Sequence, residues 1–164
     1  MNGDGTRPPM FGPPLDAWYV WIGLAIVSST AVGAVAALPS AVPPDASGAA
    51  RTVDGVAASE HAAVGKHPLS NAESVRIGSD SVSLRGPGGT EHAAFGYGPI
   101  VPVVDDPGLR ATLRGDPPER AFRTPAEFER AVRQARATKP QWQGADRLVV
   151  RRIDWEGTDV VLAG

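Results

Sequence analysis

Residues 17–38 read AWYVWIGLAIVSSTAVGAVAAL, twenty-two positions without a single Asp, Glu, Lys or Arg. At about 1.5 Å per residue a helix of that span is roughly 33 Å long, enough to cross the hydrocarbon core of a bilayer. The sequence therefore predicts one transmembrane helix over 17–38, contacting membrane lipid, with everything else arranged before or after it. Trp18, Tyr19 and Trp21 cluster at its first end, where amphipathic rings prefer the headgroup level. Its second half is rich in small residues, and Ser29 with Gly33 forms a small-x3-small pair. Such a pair either lets a second helix approach closely or simply faces lipid.

The flanks of this run set the domain organisation. Residues 1–16 hold four prolines and three glycines and read as a disordered tail, closed by Asp16 at the helix mouth. The apolar run exceeds the roughly 7–15 residues of a cleaved signal core, and only Arg7 precedes it, so an uncleaved anchor is expected. After the run no cation occurs until Arg51. The positive-inside rule then places the N-terminus in the cytoplasm and the following domain outside the cell membrane. Residues 39–48, PSAVPPDASG, read as a proline-rich linker. About 120 residues remain, enough for one small domain over 49–164.

Within that domain the periodicity alternates between helix and strand. Val53, Val56, Ala57 and Val64 share a helical face, so Ala49 to Val64 is expected as an amphipathic helix. Ser74 to Arg85 alternates apolar and polar residues, with Gly78-Ser79-Asp80 either a tight turn or a bulge. Gly86 to Gly89 is a turn, and Thr90 to Phe95 returns as a strand. Pro99 and Pro102 mark Gly96 to Val104 as edge structure. Asp105 and Asp106 before Pro107 announce a short helix carrying Leu109 and Leu113, which Gly115 and Pro117-Pro118 stop. Thr124-Pro125-Ala126-Glu127 has the form of a capping box, opening a helix with Phe128, Ala131, Val132 and Ala135 on one face. Glu156-Gly157 joins Arg147 to Trp155 and Thr158 to Leu162 as a hairpin. The sum is an α+β domain with a mostly antiparallel sheet and two to three helices.

Several chemistries have no constellation to carry them. With no cysteine, the chain holds no disulfide, thiolate metal site or Cys nucleophile. His61, His67 and His92 are not spaced as metal ligands, and there is no G-x-S-x-G elbow. Gly86-Pro87-Gly88-Gly89 lies between strands and does not feed a helix N-terminus, as a phosphate loop must. No catalytic residue, cofactor site or metal site is expected, and the chain is not read as an enzyme.

Charge is unevenly placed. From Arg110 to Arg152 eleven cations face five acids, whereas Pro39 to Leu109 carries four cations and eight acids. Arg130, Arg133 and Arg136, opposite the apolar face of their helix, are the candidate interaction surface for anionic lipid or an acidic partner. Trp142 and Trp155 do not interleave with these cations as a base-stacking platform would, so nucleic acid is not an expected partner. A solvated helix face balanced by the acidic first half is the plain alternative.

DAWYVWIGLA at 16–25, LPSAVPPDASGAARTVDGVAASEH at 38–61 and YGPIVPV at 97–103 together resemble a family of uncharacterised haloarchaeal single-pass membrane proteins. The likeness spans most of the chain and brings no assigned activity. It implies association with archaeal type IV pilus or secretion components, hence a pilin-like or pilus-accessory role at the cell surface and a membrane-protein or pilus-machinery partner. Asp16 stands where a pilin would carry its Lys/Arg-Gly processing site.

Overall fold

The computed structural model describes Tyr19, Ile22 and residues 41–164. Tyr19 and Ile22 are helical and exposed. The remainder of the expected membrane helix over 17–38, the pair Ser29 and Gly33, and the tail over 1–16 lie outside the described residues. Among the described residues, no helix is long and apolar enough to cross a membrane. The chain divides between Leu38 and Pro39, and Pro39–Gly164 is one compact unit.

That unit is α+β, with mostly antiparallel pairing. Helix α1, Ala46–Ala57, is followed by strands β1 Val64–Pro68, β2 Ser74–Ile77, β3 Ser81–Gly86, β4 Gly89–Ala94 and β5 Val101–Pro102. Helices α2 Pro107–Arg114, α3 Pro118–Ala121 and α4 Pro125–Ala137 come next, and the hairpin β6 Arg147–Trp155 and β7 Thr158–Ala163 closes the fold. There are two sheets instead of the single one expected. One has the order β1-β6-β7-β5, antiparallel except where β5 runs parallel to β7, and the other is the antiparallel meander β2-β3-β4.

Helix α1 begins inside the expected linker and stops well before Val64. Asp45 accepts the Gly48 backbone N–H at 2.7 Å, an N-cap that starts the helix at Ala46. Ala46, Ala49, Ala50, Val53 and Val56 are all buried, because α1 packs against β1, β6 and β7 of one sheet and β3 and β4 of the other. Helix and sheet come close where Gly65 of β1 meets the helix. A Cβ there would lie 2.8 Å from both Thr52 Cγ2 and Val56 Cγ2. Val64, expected at the end of the helix, is instead the first residue of β1, paired with Arg151.

The other face of the larger sheet carries α2, α3 and α4. Alternation along β6 and β7 serves both layers: Leu148, Val150 and Ala163 point toward α1, while Val160 and Leu162 belong to the helical side. Phe128 of α4 is fully buried there, its ring edge-on to Phe122 at 5.3 Å and to Trp155 at 5.7 Å. Two helix N-caps fall where expected, and of the two alternatives at Gly78-Ser79-Asp80 the structure has the turn. Asp106 accepts the Leu109 N–H at 2.8 Å to open α2, Thr124 accepts that of Glu127 at 3.2 Å to open α4, and Gly78 N–H donates to Ser81 at 2.8 Å in a tight turn. Glu127 departs from the reciprocal capping pattern by accepting from Arg123 N–H, one position before the cap. The Pro117-Pro118 pair ends α2 as expected and also opens α3, where Pro118 sits in the first turn without needing an N–H. The hairpin turn has positive φ at both Glu156 and Gly157, which matches the twist of the flanking strands.

Candidate functional site

A cleft of about 650 Å³ lies on the helical side of the larger sheet, where α2 leaves β1 and the start of β6 uncovered. Register explains its chemistry. Val64↔Arg151, Lys66↔Val149 and Pro68↔Arg147 put Lys66, Arg147 and Arg151 on one face, while Gly65 and His67 turn toward α1. Helix α2 supplies the opposite wall, with Arg110 and Arg114. Val103, Leu113 and Val149 make an apolar floor, so the cleft has a hydrophobic base and a rim of five cations. No Asp or Glu side chain lines it.

The five cations are not equivalent. Arg110 is tied to the Val104 carbonyl, and Arg151 donates Nε–H to the Leu113 carbonyl at 3.0 Å near the end of α2. Lys66, Arg114 and Arg147 are exposed, and among the described residues their side chains make no hydrogen bond or ion pair. Their charges reinforce one another over an apolar surface, which concentrates positive potential in the cleft. The third wall, Gln143-Gly144-Ala145, is held by a reciprocal backbone pair with β2: Val75 N–H to Gln143 O at 2.8 Å and Gln143 N–H to Val75 O at 2.9 Å. Trp142 secures the same segment, with the Arg85 and Arg76 guanidinium carbons 4.2 Å and 4.8 Å from its ring centre.

The residues singled out from the sequence lie elsewhere. Arg130, Arg133 and Arg136 follow one another along α4 and contribute nothing to this cleft. Arg130 is exposed, and Arg133 stands 3.5 Å from Glu129. Arg136 is half-buried and donates to the carbonyls of Pro99 and Ile100, tethering the chain before β5 to the helix. Of that trio, one is structural and one is paired. Trp142 is engaged by arginines, and Trp155 packs on Phe128, so neither ring is presented for stacking.

A second cluster is not legible in the sequence. On the outer face of the meander, Ser83 Oγ and His92 Nδ1 are 3.0 Å apart across β3 and β4, and Arg76 Nη2 lies 3.4 Å from the same hydroxyl. No acidic group among the described residues is hydrogen-bonded to His92, so the pair lacks the orienting third member of a nucleophilic triad. Among the described residues, no group of three or more His, Cys, Asp or Glu side chains could hold a metal ion.

The clearest electrostatic shift belongs to Arg152. Its hydrogen bond to Asp159 raises its pKa, burial opposes, and the nearby charges of Asp159 and Asp154 add to the rise. The same guanidinium donates to the Ala57 carbonyl at 3.2 Å and to that of Ser59, just past the end of α1.

A family model described as a family of unknown function (DUF7283) matches residues 12–153, a span that includes the apolar segment and every cation of the cleft. The chain belongs to that family. No curated protein and no solved structure matches it.

Proposed function

We propose that this chain is a membrane-anchored interaction protein of the cell surface, held in the bilayer by residues 17–38 and presenting Pro39–Gly164 outside the cell to an acidic partner. The observation that carries the second half of this reading is the cleft rimmed by Lys66, Arg110, Arg114, Arg147 and Arg151 over an apolar floor, without an acidic side chain in its lining. An anion entering it exchanges water for several fixed cations beside a surface that excludes water, and selection by charge follows without any catalytic group. The anchor half is supported by the charge-free run itself and by Arg7 preceding it. The resemblance to haloarchaeal membrane proteins makes a pilus or secretion assembly the machine at which such a module would act, as an accessory.

Two measurements test the two halves. Protease treatment of intact cells is expected to release peptides from Arg51 onward while Met1 to Trp18 stays with the membrane; release only after lysis would put the domain inside and end the surface reading. Full-length protein in zwitterionic detergent is expected to bind poly-glutamate at low salt and to lose it as ionic strength rises. The triple reversal Lys66→Glu, Arg114→Glu, Arg147→Glu should abolish that binding, whereas reversal of Arg130 and Arg133 should leave most of it. The opposite pattern would return the interaction surface to α4.

A further inference from the structure

Strand β1 is an edge of the larger sheet, and its backbone has a definite parity. Arg152 N–H donates to the Ala63 carbonyl at 2.9 Å and Leu69 N–H to the Asp146 carbonyl at 2.9 Å. In an antiparallel ladder these bonds mark alternate residues as the ones facing the neighbour. Residues 63, 65, 67 and 69 therefore direct their peptide groups at β6, and Val64, Lys66 and Pro68 direct theirs outward. Among the described residues, neither Val64 N–H nor Lys66 N–H has a backbone partner. Val64 is 47% exposed. These two residues also place their side chains in the cationic cleft. One edge thus offers backbone hydrogen bonds and positive charge at the same positions.

Resting on the reading of the cleft as a site for an acidic partner, we propose that the partner binds as an extended acidic polypeptide segment that adds a strand to the outer edge of β1. Backbone bonds to Val64 and Lys66 would hold the added strand. Because its side chains alternate between faces, every second one lies over the cleft side, where carboxylates meet Lys66 and, with longer reach, Arg147 and Arg114. A second copy of β1 is disfavoured as occupant, since it would bring Lys66 and its neighbouring arginines against their own like. Pro68, lacking an N–H, limits the pairing at one end and so fixes where the added strand stops.

The test uses full-length protein in zwitterionic detergent and two synthetic peptides of sequence Thr-Glu-Val-Glu-Val-Glu-Thr, blocked at both ends. One is unmodified, and the other carries N-methyl groups on every interior amide, which removes its strand-pairing donors without changing its charge. The unmodified peptide is expected to bind about tenfold or more tightly than the methylated one, and to slow hydrogen exchange selectively at the Val64 and Lys66 amides. Arg114→Glu with Arg147→Glu, both exposed positions, should remove binding while the thermal midpoint stays near that of the parent. Equal binding of the two peptides, or binding without protection at Val64 and Lys66, overturns strand addition but leaves an anion-binding cleft standing. Strand addition is likewise overturned if anionic vesicles or inorganic polyphosphate bind and the peptide does not. Failure of peptide, poly-glutamate, vesicles and polyphosphate alike overturns both the strand and the cleft as an acidic-partner site.

Discussion

Arg152 grips Asp159 across the β6–β7 hairpin, its Nε–H donating to Oδ1 at 2.9 Å and its Nη2 to the other carboxylate oxygen. The rest of the guanidinium reaches the carbonyls of Ala57 and Ser59, so a strand residue closes the C-terminus of α1 while its partner strand holds it in place. Two elements far apart in the chain are fastened by one planar group. A cation at this end of a helix also meets the favourable end of the helix dipole.

Lysine cannot reproduce this arrangement, because an ammonium is a point donor without the guanidinium fork. Arg152→Lys is expected to lower the thermal midpoint nearly as far as Arg152→Ala, as read by circular dichroism. The raised pKa gives a sign to the pH dependence: the contribution of Arg152 is complete below its ordinary, strongly basic range and is lost only as pH climbs through the still higher folded value. Removing Arg152 should therefore displace the stability curve uniformly between pH 7 and pH 10. A difference between parent and variant that shrinks across that window would contradict the assignment.

Gly65→Ala should destabilise the domain by about 1–3 kcal/mol, since the new methyl must displace Thr52 and Val56 side chains that lie 2.8 Å from it. The clash has a specific remedy. In a Val56→Ala background, itself weakened, the added cost of Gly65→Ala should fall clearly below its cost in the parent, measured by urea unfolding. Additive costs would show that the tightness between β1 and α1 resides elsewhere.

Phe128→Ala removes a fully buried ring that touches Phe122 and Trp155 edge-on. A loss of about 3–5 kcal/mol is expected on denaturant unfolding. Trp155 fluorescence should change in the folded state as well, because one of its packing partners is gone.

Asp54 Oδ1 accepts two consecutive backbone N–H groups, Gly96 at 2.8 Å and Tyr97 at 3.1 Å, and so moors the segment after β4 to α1. Asp54→Ala should cost about 1–2 kcal/mol. Its distinguishing signature is local: hydrogen exchange at Gly96 and Tyr97 should speed up more than that of the β3 amides. Uniform acceleration would mean global destabilisation without release of the loop.

Legibility in the sequence follows the range of the interactions. Thr124 with Pro125, Asp106 with Pro107, and Glu156 with Gly157 each act on backbone groups within four residues, and each appears where the pattern places it. Helix α1 starts earlier than its periodicity suggests, because Ala46 and Gly48 look like linker until the two sheets that bury them are present. Val64 fits a helical face, yet pairing with Arg151 makes it a strand residue. For Arg136, the surface role suggested by helical periodicity gives way to carbonyls at Pro99 and Ile100 that no local pattern could supply.

By itself the sequence determined the α+β character of the domain, the caps and turns that bound most of its later elements, the absence of cysteine chemistry and the surplus of cations after Leu109. Only the tertiary structure decided that the strands divide into two sheets with α1 between them, and that Lys66 stands with Arg110, Arg114, Arg147 and Arg151 around one cleft. The physical reason is that caps, turns and amphipathic periods are short-range, set by a few consecutive residues. Strand register joins distant residues, and shifting it by a single position would carry Lys66 and its neighbours to the opposite face of the sheet.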